Sequence, residues 1–232
     1  MRHRTLWVLT RRCNVRCPFC DIFELIGKRE EGDWKEIAER VVEIGYPVCL
    51  SGGEPTLHEH FDDIVNFLAD HVPVVVETNL STGFRQCFAR CIQVTVNLSS
   101  WLWLGRCFTE DLRKLFECGC KEVYPTFVPQ RGCVESDLRF FRVNGLDELL
   151  KDKQVDICLP HNCRGEYDSR PDEEELALIK KFFPVSEVID IDSFKDLSGD
   201  PVIMPDGAIG RLVVKNNQVV FSEEKDAIRI AQ

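Results

Sequence analysis

The sequence is short of positive charge and has no long apolar run. Lys and Arg number 29 against 39 Asp and Glu, a formal net charge of −10 over 232 residues. Such a field repels polyanions, so bulk nucleic-acid binding is not expected. No stretch approaches the roughly 18 apolar residues that a membrane span requires. The opening MRHRTLWVLTRRC has a brief apolar run with charge on both sides, unlike a secretory signal. A cytoplasmic protein with no membrane association is the expectation. Internal repeats of 20–50 residues and low-complexity tracts are also missing, which excludes solenoids and biased linkers. The 44% hydrophobic and 29% charged content excludes a disordered or collagen-like chain.

What the sequence does have is cysteine, 12 in all. That is below the roughly 8–10% that marks a disulfide scaffold. With no secretory signal, clustered thiols point to metal or redox chemistry in a reducing compartment.

Short β-rich runs alternate with amphipathic helical patterns. Strands are expected at Thr5–Thr10, Val48–Ser51, Val72–Glu77, Gln93–Leu98, Glu122–Val128 and Val155–Leu159. Helical patterns follow each. The first has Asp33 as N-cap, with Glu36 placed for a capping box, and Trp34, Ile37, Ala38, Val41 and Val42 on one face. Others are expected at His58–Ala69, Ser81–Cys91, from Thr109 to Gly119, between Ser136 and Lys151, and at Pro171–Phe183. Six strand–helix units predict an α/β fold with a parallel sheet, a partial (β/α)6 barrel. The tail reads as short strands at Val188–Ile191, Val202–Met204, Ile209–Val214 and Val219–Phe221. Turns are expected at Pro205-Asp206-Gly207 and Asn216-Asn217. The expected organisation is a core over 1–185 and a small, β-hairpin-rich C-terminal extension over 186–232.

The strongest constellation is Cys13-x-x-x-Cys17-x-x-Cys20, in the loop after the first strand. Three thiolates from one loop leave a metal centre one position short of closure, so a ligand can bind there. An iron–sulfur cluster, a zinc ion with a histidine as fourth ligand, and incidental thiols all remain open on spacing alone.

The stretch Arg12-Cys13-Asn14-Val15-Arg16-Cys17-Pro18-Phe19-Cys20 resembles the signature of the radical S-adenosylmethionine (SAM) superfamily. Ser51-Gly52-Gly53-Glu54-Pro55 resembles its Gly-Gly-Glu motif, and Glu77-Thr78-Asn79 its Thr-Asn motif. All three fall at strand ends, where α/β folds place their sites. The resemblance covers about Thr5 to Pro160. It implies a [4Fe–4S] cluster on Cys13, Cys17 and Cys20 whose open iron chelates SAM. Reductive cleavage of SAM would then give a 5′-deoxyadenosyl radical that abstracts hydrogen from a substrate.

The resemblance also implies roles for individual residues. Gly52 and Gly53 would offer backbone to the SAM amino group. Glu54 would lie near that ammonium or orient the loop; a solvated loop acid is the alternative. Phe19 would neighbour the adenine or simply pack as a lid. Asn79 belongs to the same ligand set. In the fourth strand Gln93, Thr95, Asn97 and Ser99 alternate with Val94, Val96 and Leu98, which puts a polar row on the face away from the helices. Asn97 and Ser99 would contact the SAM ribose or carboxylate; a wetted edge strand is the alternative. Arg11, Arg12 and Arg16 either raise the potential of an anionic cluster or form a solvated patch.

Implied partners are a one-electron donor such as a ferredoxin or flavodoxin, and a small-molecule or peptide substrate, including nucleotide-derived cofactor precursors. Cys107, Cys133, Cys158 and Cys163 are candidates for an auxiliary metal site or a hydrogen-donating thiol. Cys107, Cys133 and Cys163 follow the fourth, fifth and sixth strands, and Cys158 is expected near the base of the sixth. Cys49, Cys87 and Cys91 read as packing residues and Cys118 and Cys120 as floor residues. His161 reads as a polar rim residue. A non-catalytic iron–sulfur or zinc module, a redox sensor or scaffold, is the competing function; it would not bind SAM.

Overall fold

The structure is a computed structural model describing residues 4–20, 25–159, 170–190, 200–215 and 218–223. Among these, ten strands form one sheet, ordered β10-β9-β8-β1-β2-β3-β4-β5-β6-β7. The core strands are β1 (Thr5–Thr10), β2 (Val48–Gly52), β3 (Val74–Thr78), β4 (Gln93–Asn97), β5 (Glu122–Phe127), β6 (Val155–Leu159) and β7 (Ser186–Asp190). Each pairs in parallel with the next. The sheet is not closed, as expected for a partial barrel.

The helices are α1 (Trp34–Ile44), α2 (Phe61–Ala69), α3 (Ser99–Leu104), α4 (Thr109–Glu117), α5 (Val134–Val143), α6 (Leu146–Leu150) and α7 (Glu173–Phe182). They cover one face of the sheet. Phe61, Ile64, Val65 and Leu68 of α2 are fully buried against Leu50, Val74 and Val76, in a cluster that runs on to Phe127 and Ile157. Each such side chain contributes about 1.5–3 kcal/mol relative to exposure. Asp33 caps α1 by accepting from Lys35 N at 2.9 Å. The complete capping box lies elsewhere, between Asp172 and Glu175 at the start of α7.

Several expectations shift. The stretch 81–91 forms a turn and a 3-10 helix at Gln86–Arg90 in place of an α-helix. The stretch 136–151 is two helices, broken where Gly145 takes φ 71. The fourth strand ends at Asn97, because Leu98 already has helical dihedrals and opens α3.

The tail is divided between the two edges. β7 hydrogen-bonds beside β6 over five register pairs, so it continues the core sheet across the expected 185/186 division. β8 (Val202–Ile203) pairs in parallel with β1 at the other edge. β9 (Ile209–Lys215) and β10 (Gln218–Glu223) then add antiparallel strands. The hairpin-rich part of the tail is thus β8–β10. Its turn at Pro205-Asp206-Gly207 closes through Gly207 N to Met204 O at 2.9 Å. Asn216 and Asn217 lie outside the described residues.

Candidate cofactor site

Backbone packing brings the three strand-end motifs together. After β1 the chain crosses the end of β2 so closely that only glycine fits beneath it. A Cβ on Gly53 would stand 2.3 Å from Arg12 O, and one on Gly52, at φ 127, would stand 2.5 Å from Thr10 O. Gly53 N donates to Thr10 O at 2.8 Å and Glu54 N to Arg12 O at 2.7 Å. The close approach that the two glycines permit is therefore made by the cysteine loop itself.

Glu54 is 1% exposed. Its Oε1 accepts from Thr56 N at 3.1 Å, Thr56 Oγ1 at 2.6 Å and Thr78 Oγ1 at 2.7 Å, while Oε2 accepts from Asn79 N at 2.6 Å. Burial pushes its carboxyl up, and these hydrogen bonds oppose the shift. Glu54 is neither a solvated acid nor free for a ligand's ammonium; it joins the ends of β2 and β3.

Asn79 extends the network. Its Nδ2 donates to Asn14 Oδ1 at 3.0 Å, between Cys13 and Val15, and Asn14 Nδ2 donates to Ser81 Oγ at 2.7 Å. Trp101 Nε1 donates to Asn79 O at 2.7 Å. Trp101, fully buried in α3, escaped the sequence reading, since a tryptophan in an apolar run signals only core.

The loop is also held from its other side. Glu31 accepts from Thr10 Oγ1, from Arg12 Nε at 3.1 Å and from Arg12 Nη2 at 2.6 Å, and lies 3.7 Å from His58 Nε2. Burial works against Glu31 ionising, but Arg12 and Thr10 outweigh it and hold its carboxyl below the usual range.

Cys13, Cys17 and Cys20 are each half-buried, with Phe19 half-buried among them, and Val15 is buried beneath the loop. Burial raises Cys13, and burial with repulsion from Cys20 and Cys13 pushes Cys17 up to about 12. The thiols are thus close enough to feel one another. Among the described residues, however, no three His, Cys, Asp or Glu side chains are closed round a single point.

On the face away from the helices, Gln93, Thr95 and Asn97 are half-buried while Val94 and Val96 are fully buried, as the alternation predicts. Asn97 Oδ1 is buried and has no hydrogen-bond partner. Ser99 differs: it lies in α3, 1% exposed, accepting from Val128 N at 2.7 Å and donating to Val128 O at 3.2 Å. It joins the ends of β4 and β5. Glu77 is exposed on the same open face and accepts from Ser51 Oγ at 2.6 Å.

The family profile described as the Radical SAM superfamily matches residues 7–126, a little over half of the chain. The chain belongs to the radical SAM superfamily. Members use a [4Fe–4S] cluster and SAM. The Fe-coproporphyrin III synthase of Methanosarcina barkeri is 35% identical over 82 residues, 32% of this chain and 20% of that protein. Streptococcus suis SuiB bound to S-adenosylmethionine superposes with a TM-score of 0.63 at 14% identity, over 98% of this chain and 64% of SuiB. The AdoMet-bound anSMEcpe gives 0.61 at 13% identity, over 99% of this chain and 79% of that one. The matched region thus spans a fifth of the synthase and less than two thirds of SuiB. At these identities the two structures show the fold alone.

The donor chemistry of the site fits the superfamily's cofactors. Three half-buried thiols from one loop, with burial raising Cys13 and Cys17, suit a cationic metal centre that would hold them as thiolates. The unpartnered Asn97 Oδ1 is an acceptor waiting for a donor on the ligand side. Among the described residues, the remaining cysteines do not assemble a second centre. All eleven described cysteines are free thiols. Cys107 packs against the core, Cys133 is exposed at the start of α5, and Cys158 is the fourth residue of β6, near its carboxyl end and not its base. Cys163 and His161 lie outside the described residues. Cys87, Cys91, Cys118 and Cys120 direct their thiols to Asp62, Cys87 O, Leu115 O and Glu122 O respectively, consistent with packing.

Proposed function

We propose that the chain is a radical SAM enzyme in which Cys13, Cys17 and Cys20 hold the cluster, and the ends of β1–β4 hold SAM. Gly52, Gly53, Glu54, Asn79, Asn97, Ser99 and Phe19 form its surroundings. When bound, the cluster supplies the electron that splits SAM into methionine and a 5′-deoxyadenosyl radical, which takes hydrogen from the substrate. The observation that carries this reading is the Glu54 network, which links the Gly-Gly-Glu, Thr-Asn and cysteine motifs at one end of the sheet.

The chain's own residues divide the work. Glu54, Asn79 and Asn14 fix the cysteine loop over the strand ends. Ser99 and Glu54 spend their hydrogen bonds on the protein and act as positioning residues. Asn97 Oδ1 is free to accept from a bound ligand, and Phe19 offers an apolar surface beside the thiols. The substrate is a small molecule or a peptide reaching the open face over the strand ends. SuiB has been seen with its precursor peptide SuiA, while the archaeal relative is a porphyrin enzyme. A ferredoxin or flavodoxin would supply the electron, in the cytoplasm. Among the described residues no helix is long and apolar enough to cross a membrane.

The test is anaerobic reconstitution, dithionite reduction and chromatography for 5′-deoxyadenosine. The expected result is SAM-dependent 5′-deoxyadenosine that disappears in Cys17→Ala together with the brown chromophore. Cluster-loaded, reduced protein that binds no SAM and forms no 5′-deoxyadenosine would establish a non-catalytic module.

A further inference from the structure

A cavity of about 170 Å³ opens at the same end of the sheet, between α3 and the segment joining β5 to α5. Ser99, Leu102, Trp103, Val128, Gln130, Cys133 and Asp137 line it. Its volume is below the range of roughly 300–1,000 Å³ that encloses a whole drug-sized ligand. It suits one extended side chain.

Three observations agree on the kind of side chain. Trp103 is 55% exposed, in contrast to its fully buried neighbour Trp101. The α3 helix thus presents a large aromatic surface that the protein's own core does not use. Asp137 brings a carboxylate to the cavity from the first turn of α5, and no ion pair among the described residues involves it. The only side chain offsetting its burial is Ser136, and its carboxyl is pushed up to about 6. Leu102 and Val128 complete an apolar wall. An aromatic surface, an aliphatic wall and an unpaired carboxylate are complementary to a cation on an alkyl stem. The stem takes the apolar contact, and the head takes the carboxylate and the ring face.

We propose that this cavity is a specificity pocket for a lysine or arginine side chain of a peptide substrate, gripped between Trp103 and Asp137. The proposal deepens the peptide reading above and rests on it. The pocket floor is the Ser99–Val128 pair, next to Asn97 on β4, so a peptide anchored here lies at the strand ends where the cysteine loop sits. The net charge of −10 favours such a cationic partner over an acidic one.

The test uses the reconstituted protein labelled with 5-fluorotryptophan, the Trp103 resonance being assigned through Trp103→Phe. N-acetyl-lysine methylamide is titrated against its neutral analogue, N-acetyl-norleucine methylamide. A saturable shift of the Trp103 resonance with the lysine probe, a much weaker one with norleucine, and an affinity about fivefold lower in Asp137→Asn are expected. Unmoved resonances from Trp7, Trp34 and Trp101 in the variant show that the fold is intact. Equal response to both probes, no saturable response to either, or full lysine affinity in Asp137→Asn would overturn the proposal. Because binding is read without SAM cleavage, this result stands apart from the 5′-deoxyadenosine assay. Production of 5′-deoxyadenosine with no lysine binding condemns the pocket, and lysine binding with no 5′-deoxyadenosine condemns the radical chemistry.

Discussion

Glu54 Oε2 accepts from the backbone nitrogen of Asn79 at 2.6 Å, and through that bond the second and third strands share a single buried carboxylate. Two of the groups pointing at Glu54 are backbone N–H groups and two are threonine hydroxyls. Removing the carboxylate leaves those backbone donors buried and unsatisfied, at about 1–3 kcal/mol each. Glu54→Ala should lower unfolding stability by about 3 kcal/mol, read from the urea midpoint at constant slope. Glu54→Gln, which keeps an acceptor but loses the charge, should fall between the two. An alanine variant as stable as the parent would mean that the network contributes nothing.

Gly53 gives a sharper test, since it separates steric fit from backbone freedom. An alanine there meets Arg12 O at 2.3 Å, and that oxygen is backbone held by Glu54 N. The cysteine loop must lift. Gly53→Ala should cost about 1–3 kcal/mol and reduce iron bound per chain after reconstitution. Gly105→Ala is the converse control: it carries positive φ, which Gly53 does not, but has open space around it, so about 1 kcal/mol and normal iron loading are expected. Equal iron content in the two variants would show that the crossing over Gly53 does not position the thiols.

These two sites show what could and could not be read from sequence. The parallel sheet and the strand positions were legible because β-rich runs and apolar helix faces alternate at regular spacing. β1 and β6 have the expected bounds. The alternation of Gln93, Thr95 and Asn97 with Val94 and Val96 also gave the correct faces. It failed one step later, at Ser99, because strand parity does not say where a strand stops. Leu98 turns into α3 and carries Ser99 toward Val128. The partners of Glu54 were invisible because they come from the third strand and from a 3-10 turn, 24 and 25 residues on in two cases. Gly52 and Gly53 were recognised as places of close approach, but whether a ligand or the chain itself approaches depends on the path after β1. Local pattern does not encode that path.

Glu31 tests whether the cysteine loop needs a clamp on its outer side. It fixes Arg12, one residue before Cys13, through Nε and Nη2. The pair is partly solvent-exposed, so its contribution is about 1 kcal/mol. That corresponds to about a fivefold change in how often the loop opens. Glu31→Ala should therefore release iron to an external chelator several-fold faster than the parent, with Glu31→Gln intermediate. Identical release rates in all three proteins would assign Glu31 to surface solvation alone.

Asp137 predicts a pH dependence that can be measured without any ligand. Its carboxyl titrates near about 6 in the folded protein, against 3.8 for the unperturbed group, because burial disfavours the charge. Between those values the folded state binds the proton more tightly than the unfolded chain does. The contribution of this group to stability is therefore fully present below the unfolded value and is lost as pH rises through about 6. Asparagine carries no charge to desolvate. Asp137→Asn should thus be more stable than the parent at pH 7.5, by about 1 kcal/mol once partial solvent screening is allowed for. The gain should shrink on acidification and vanish near pH 4. Because all other groups titrate alike in both proteins, the difference between their urea-derived stabilities isolates this one carboxylate. A difference that stayed constant from pH 4 to pH 7.5 would show that Asp137 is solvated like a surface acid. It would then lack the unpaired, half-buried charge that a cationic side chain needs.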